Sequence, residues 1–325
     1  MKATQAFFET TGGPEVIQWR EVELAAPGPG EVLVRHEAVG LNFIDTYFRT
    51  GMYPARLPAG LGMEAAGIVE AVGPGVLILA PGDRVASIGP GLGAYASAVI
   101  AKADSLYRVP DGIDSRTAAA VLLKGATVEC LAERVVRPQA GEWVLVHAAA
   151  GGVGLLLVQW LAALGVRVIG TASTTAKLDL AREAGAELAL PADAPDLAEQ
   201  VRAATAGQGV RVTYDGVGAA TWRASLKSTG RRGTIVSFGN SSGAVTGVAL
   251  RDLAVHGSLC VTRPGLYDYY LDPAERNAGA ERLWAMVGSG KLSVTIGQTY
   301  PLAEVAQAHR DLEARRTVGS TLLIP

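Results

Sequence analysis

The stretch that decides the fold is Val144-Leu145-Val146-His147-Ala148-Ala149-Ala150-Gly151-Gly152-Val153-Gly154, which runs on into Leu155-Leu156-Leu157-Val158-Gln159-Trp160-Leu161. An apolar strand enters a small-residue turn, and a helix leaves it. Ala149, Gly151 and Gly154 occupy the three positions of a G-x-G-x-x-G pattern, with Ala standing first. Small residues there permit a tight turn, a bare backbone against a pyrophosphate, and close helix–strand packing, while the helix N-terminus offers amides to phosphate. The next strand ends about 20 residues on, the spacing of a dinucleotide-binding βαβ unit.

Outward from this turn, apolar strands and helices alternate. Strands are expected at Trp143–Ala148, Val166–Thr171, Glu187–Leu190, Val210–Asp215, Gly233–Phe238 and Ser258–Thr262, and helices at Gly154–Leu164, Thr175–Ala184, Asp196–Thr205 and Ala219–Ser225. Such alternation needs crossover connections and therefore a parallel sheet covered on both faces, a doubly wound α/β domain. The preceding segment, Arg116–Arg134, is Ala-rich and helical. Earlier sequence differs in texture: β-rich runs at Val32–Val39, Gly67–Val72 and Asp83–Ser87 are broken by Pro27-Gly28-Pro29-Gly30, Gly73-Pro74-Gly75 and Pro81-Gly82. That texture reads as an irregular, mostly antiparallel β domain. The tail carries one more helix, Ala280–Gly288, and a β-like run, Ser320–Ile324; it is too short for a domain and is expected to pack back on the first one.

The 325 residues match this two-domain division, at about 150 residues per domain. Lys and Arg total 29 against 31 for Asp and Glu, so the charge gives no general attraction to nucleic acid or membrane. The charge-free run 143–166 is long enough to span a bilayer, but its central glycines would break a helix. With no apolar leader before Glu9 and only Cys130 and Cys260, both read as buried small hydrophobes, the expected compartment is the reducing cytoplasm.

Cofactor choice is read at Val168-Ile169-Gly170-Thr171-Ala172-Ser173-Thr174-Thr175-Ala176-Lys177. An NAD site commonly places a carboxylate here for the ribose 2′-hydroxyl, and that carboxylate would repel a 2′-phosphate. No acid occurs from Val166 to Lys177. Ser173, Thr174 and Lys177 instead offer neutral donors and a cation, which favours NADPH.

The chain resembles the medium-chain dehydrogenase/reductase superfamily, and within it the zinc-independent, zeta-crystallin-like quinone oxidoreductases. The resemblance rests on Asn42-Phe43-Ile44-Asp45-Thr46-Tyr47, Gly62-Met63-Glu64-Ala65-Ala66-Gly67, Ala148–Gly154, Ser237-Phe238-Gly239-Asn240-Ser241-Ser242-Gly243 and Val261-Thr262-Arg263-Pro264. It implies a GroES-like β-rich catalytic domain, residues 1–124 completed by 263–325, and a Rossmann domain, residues 125–262. Zinc relatives use Cys, then His in Gly-His-Glu; here Asn42 and Met63 stand at those places, and neither replaces thiolate or imidazole in a tetrahedral site. No metal is therefore expected, and hydride transfer to a quinone is favoured over alcohol oxidation.

By the same resemblance the acceptor lies in a cleft between the domains, lined by Asn42, Asp45 and Tyr47, with Tyr53 where related enoyl-thioester reductases have a catalytic Tyr. Tyr47 and Tyr53 are alternative proton donors. Cofactor contacts are implied for Asn42, Lys124, Thr127, Gly151, Gly152, Val153, Gly154, Val217, Phe238, Gly239, Asn240, Ser241 and Arg315, although Arg315 and Arg316 compete for the inward position. One departure is Leu190-Pro191-Ala192-Asp193, where relatives often carry a Tyr near the adenine phosphate. His36, His147, His256 and His309 pair with no nucleophile motif and read as structural. A homodimer paired through Ser258-Leu259-Cys260-Val261 is implied. The competing readings are an NADPH-dependent reductase of activated C=C bonds and a non-enzymatic structural or RNA-binding role; the lack of a Lys/Arg run argues against RNA.

Overall fold

The computed structural model describes residues 1–89, 91 and 93–325. The chain divides into two compact units. Unit 1 comprises Met1–Lys124, Leu283–Gly288 and Val294–Pro325, and unit 2 comprises Gly125–Arg282 and Ser289–Ser293.

Strands β1 (Lys2–Phe8), β2 (Gln18–Glu23), β3 (Glu31–Leu41), β4 (Ala59–Gly60), β5 (Glu64–Val72), β6 (Arg84–Ile88), β7 (Ala98–Lys102) and β8 (Tyr107–Arg108) belong to unit 1. One sheet runs β2-β1-β4, while β3 is central to a second in which β5, β7 and the C-terminal β16 (Ser320–Ile324) pair with it antiparallel. Strand β15 (Ile296–Pro301) extends that sheet beyond β16. Alternation along β3 sends Val39 and Leu41 into a core with Phe8, Leu61, Tyr95, Leu312 and Leu323. Helix α1 (Phe43–Thr50) leaves β3 at Asn42, and α2 (Ser115–Glu129) follows β8.

Unit 2 is a parallel sheet of β9 (Trp143–Val146), β10 (Arg167–Ala172), β11 (Leu188–Pro191), β12 (Val210–Asp215), β13 (Thr229–Ser237) and β14 (Cys260–Thr262), in the order β11-β10-β9-β12-β13-β14. The order reverses beside β9, the switch point where doubly wound sheets bind nucleotides. Helix α3 (Gly152–Ala163) is apolar on nearly every side and buried accordingly. The core packs Leu145, Ile169, Leu190, Leu197, Val201 and Val210.

Three expectations need correction. The helix expected from Ala219 begins at Trp222, because Asp215 Oδ1 accepts the N–H groups of Val217 and Gly218 and holds 216–221 as a turn. The segment 263–282 falls in unit 2 rather than with the tail. Its anchor is the wholly buried Glu129, which accepts Arg134 Nε at 3.1 Å, Tyr270 Oη at 2.9 Å and Arg282 Nε at 2.9 Å. Cys260 is exposed on β14, whereas Cys130 is buried.

Candidate functional site

In unit 1, Asn42 follows β3 in extended backbone and caps the start of α1, with its N–H donating to Asp45 Oδ2 at 2.8 Å. Its side-chain amide donates to Glu64 Oε2 at 2.9 Å. Glu64 is fully buried and also accepts the Leu123 N–H at 2.7 Å and Lys124 Nζ at 3.1 Å. Gly40 is required beside this cluster, because a Cβ there would collide with Glu64 Oε2 and the Ala119 carbonyl. Met63 is buried immediately before β5.

Asp45 is wholly buried, and burial pushes its carboxyl from the ordinary 3.8 up to about 7, against hydrogen bonds from Asn42 and Tyr95 that pull it down. Tyr95 Oη donates to Asp45 Oδ2 at 2.8 Å, while Asp45 Oδ1 is buried without a hydrogen-bond partner. Tyr47 and Tyr53 meet edge to face, their ring centroids 5.3 Å apart, and Phe43 and Phe48 extend the aromatic row along α1. Tyr95 and His309 were not distinguished by sequence as site residues. Neither lies in a motif, and only folding brings them to Asp45.

Arg316 Nε donates to Asp311 Oδ1 at 3.0 Å, Arg315 adopts φ 59°, and both side chains are exposed.

In unit 2, Ala148 adopts φ 52° as the chain leaves β9, and Gly151 caps α3 without a side-chain hydrogen bond. The first-turn N–H groups, those of Gly152, Val153 and Gly154, face no side-chain cap, which suits a phosphate. Gly154 is fixed by packing, since a Cβ would meet Ala149 Cα at 2.8 Å as well as the Ala148 carbonyl. Ser173 and Thr174 lie exposed after β10, and Thr174 Oγ1 caps α4 (Thr175–Glu183) by accepting the Lys177 N–H at 3.3 Å. Thr127 is half-buried near the end of α2.

The turn holding Val217 packs on Phe238: a Cβ on Gly216 would meet that ring at 2.8 Å. The Phe238 N–H donates to the Asp215 carbonyl at 2.9 Å, and the Ser242 N–H donates to the Val217 carbonyl at 2.9 Å. Arg263 Nη1 donates to the Gly239 carbonyl at 3.0 Å and to Asn240 Oδ1 at 3.2 Å. These bonds bring Val217 together with Phe238, Gly239, Asn240 and Ser241, and add Arg263 as the side chain that braces the loop. His147, between Thr171 Oγ1 and Ser225 Oγ, is a satisfied core histidine whose burial keeps it neutral.

Two family models match the chain: the alcohol dehydrogenase GroES-like domain over residues 28–111 and the zinc-binding dehydrogenase domain over 152–275. A quinone oxidoreductase of Pseudomonas aeruginosa is 49% identical, covering 98% of each chain. The crystal structure of Escherichia coli quinone oxidoreductase complexed with NADPH superposes with a TM-score of 0.96 at 46% identity, covering 99% of this chain and all of that one. A 2-haloacrylate reductase of a Burkholderia species is 40% identical over 98% of each chain. The GroES-like sheet, the doubly wound sheet with its glycine turn, and this full-length identity together establish that the chain belongs to the quinone oxidoreductase family.

Proposed function

We propose that this protein is an NADPH:quinone oxidoreductase that works without zinc. The observation that carries the reading is the polar cluster on Glu64. A zinc set would need thiolate and imidazole where Asn42 and Met63 stand, and Glu64 Oε2 already holds an ammonium at 3.1 Å and an amide at 2.9 Å. The donor set does not fit zinc.

The residues do fit NADPH, which when bound supplies the hydride. The amides of Gly152, Val153 and Gly154 suit its pyrophosphate, and Ser173, Thr174 and Lys177 suit the 2′-phosphate, with no carboxylate from Val166 to Lys177 to oppose it. The braced loops at Val217 and Phe238–Ser241 offer the nicotinamide a fixed backbone, and Lys124, Thr127 and Arg315 remain in the proposed cofactor set. Asn42, Asp45, Tyr47 and Tyr53 hold the acceptor: phenol rings stack on a flat quinone, and hydroxyl or amide donors stabilise charge on its oxygen.

A second reading, reduction of an activated C=C bond with Tyr53 as proton donor, is favoured by the likeness to a 2-haloacrylate reductase. Steady-state rates with 1,4-benzoquinone and with an enone, each with NADPH and with NADH, test both. The expected result is NADPH-dependent quinone turnover. Negligible rates with every quinone alongside enone reduction overturn the first reading in favour of the second.

We further infer a homodimer paired along β14, an edge strand on which Val261 is 41% exposed. Sedimentation of wild type and Val261→Lys tests it, with a monomeric variant expected. No helix among the described residues is long and apolar enough to cross a membrane. A cytoplasmic location accords with two free cysteines.

A further inference from the structure

A line of buried polar groups in unit 1 leads from Asp45 to the surface. Tyr95 Oη lies 2.8 Å from Asp45 Oδ2 and 3.1 Å from His309 Nε2. Arg49 Nη1 lies 3.0 Å from His309 Nδ1, and Arg49 Nη2 donates to Glu313 Oε1 at 2.6 Å. Asp45, Arg49, Tyr95 and His309 are each no more than 1% exposed, whereas Glu313 reaches solvent. The groups come from α1, from the segment before β7, and from α10 (Val305–Glu313), so no local motif announces them.

Chemistry fixes the direction of every bond in this line. A guanidinium can only donate, so His309 Nδ1 must present its lone pair to Arg49. The neutral ring then carries its hydrogen on Nε2 and donates to Tyr95 Oη. Tyr95 in turn spends its own hydrogen on Asp45 Oδ2, which also accepts the Asn42 N–H at 2.8 Å. Oδ2 is thus filled by two donors, and Oδ1 is the buried oxygen with no partner. A proton held by Asp45 resides on Oδ1.

We propose that Tyr95, His309 and Arg49 are positioning residues that hold Asp45 as the exchangeable proton group of the reaction, with aligned donors on Oδ2 and the proton of Oδ1 reserved for the acceptor. The identity of the acceptor rests on the quinone reading above. The balance is simple. The quinone gains two electrons as hydride and one proton; the O–H bond at Asp45 Oδ1 breaks, an O–H bond forms on the acceptor oxygen, and the carboxylate left behind regains a proton from solvent.

The surrounding charges support this role. Burial lifts the Asp45 carboxyl to about 7, Lys124 on α2 pulls it down, and Glu64 on β5 pushes it up, so both protonation states are accessible near neutrality. His309 is pushed down to about 3, by burial first and then by the Arg49 cation, which keeps the ring from taking a second proton and reversing the line. Arg49 and Glu313 complete the charges that face it.

The test separates positioning from a merely structural tie between α1 and α10. Infrared spectra of the full-length protein without cofactor are followed from roughly pH 5 to 9, a window that brackets neutrality by about two units. The Asp45 carboxyl band is identified by its loss in Asp45→Asn. Tyr95→Phe should raise the midpoint of that band by about one unit and move it to higher frequency, since Oδ2 loses a donor. His309→Leu should raise it less, and His309→Gln, which keeps an N–H near the Nε2 position, should restore the wild-type midpoint. The same order is expected in the alkaline limb of kcat/KM with 1,4-benzoquinone. His309→Leu takes one of two acceptors from buried Arg49 Nη1, leaving Glu313 Oε2 at 3.2 Å, and Tyr95→Phe carries the test where that variant fails to fold. A Tyr95→Phe midpoint equal to wild type overturns the proposal whether or not quinones are reduced. Shifted midpoints without quinone turnover uphold the positioning and overturn the quinone reading instead.

Discussion

Replacing Lys124 with Met removes the ammonium that faces Glu64, and the consequence can be worked from the geometry. Glu64 is wholly buried, and Lys124 Nζ sits 3.1 Å from Oε2. At that separation the attraction is about 5 kcal/mol for an effective dielectric of about 20, before desolvation is subtracted. Two neutral donors, the Leu123 N–H and the Asn42 amide, remain in the variant and cannot neutralise the charge. A buried carboxylate stripped of its cation costs about 3–5 kcal/mol, so Lys124→Met should lose that much stability. Glu64→Gln alone should also be costly, because it leaves the ammonium buried. Lys124→Met/Glu64→Gln removes both charges and should be more stable than the sum of the singles by at least about 2 kcal/mol. Urea unfolding followed by circular dichroism measures all four proteins, and the coupling should barely change when salt is raised, since a buried pair is poorly screened. A Lys124→Met loss below about 1 kcal/mol, the size typical of an exposed pair, refutes the reasoning, as does an additive double variant.

Three further outcomes are expected. Asp45 keeps its proton up to about pH 7 when folded but ionises near 3.8 when unfolded, so its burial lowers stability progressively as pH rises between those values. Asp45→Asn should therefore gain on wild type by about 4 kcal/mol between pH 4 and pH 8, at 1.36 kcal/mol per unit, and calorimetry showing a flat difference counts against the assignment. Gly154→Ala forces the small-residue turn away from Ala148 and Ala149 and should cost about 1–3 kcal/mol while weakening NADPH binding in a fluorescence titration; unchanged affinity would remove the turn from the proposed cofactor site. Lys177→Ala should lower the ratio of NADPH to NADH efficiency about tenfold, the worth of one phosphate contact near 1.4 kcal/mol, and an unchanged ratio excludes Lys177 from 2′-phosphate recognition.

Much of unit 2 was legible because its information is local. Apolar strands at 144–146, 168–172 and 210–215 alternate with helices, and the small-residue turn at 149–154 forces the strand, turn and helix to be read together. Boundaries moved where a side chain intervened: Asp215 gathers the amides of Val217 and Gly218 and postpones the next helix to Trp222. Segment 263–282 was misassigned because its anchor, Glu129, lies more than a hundred residues upstream. A carboxylate in an Ala-rich helix gives no sign that two arginines and a tyrosine will close over it.

The site divides in the same way. Sequence by itself determined the absence of thiolate and imidazole at Asn42 and Met63, the small-residue turn between strand and helix, and the lack of a carboxylate from Val166 to Lys177, because each depends only on which side chains occupy a short stretch. Tertiary structure alone decided that Lys124 sits on Glu64, that Arg316 is tied to Asp311, and that Tyr95, His309 and Arg49 line up behind Asp45. The physical reason is that a hydrogen-bond direction or a shifted carboxyl is set by burial and by neighbours within about 3 Å, and those neighbours are supplied by elements far apart in the chain.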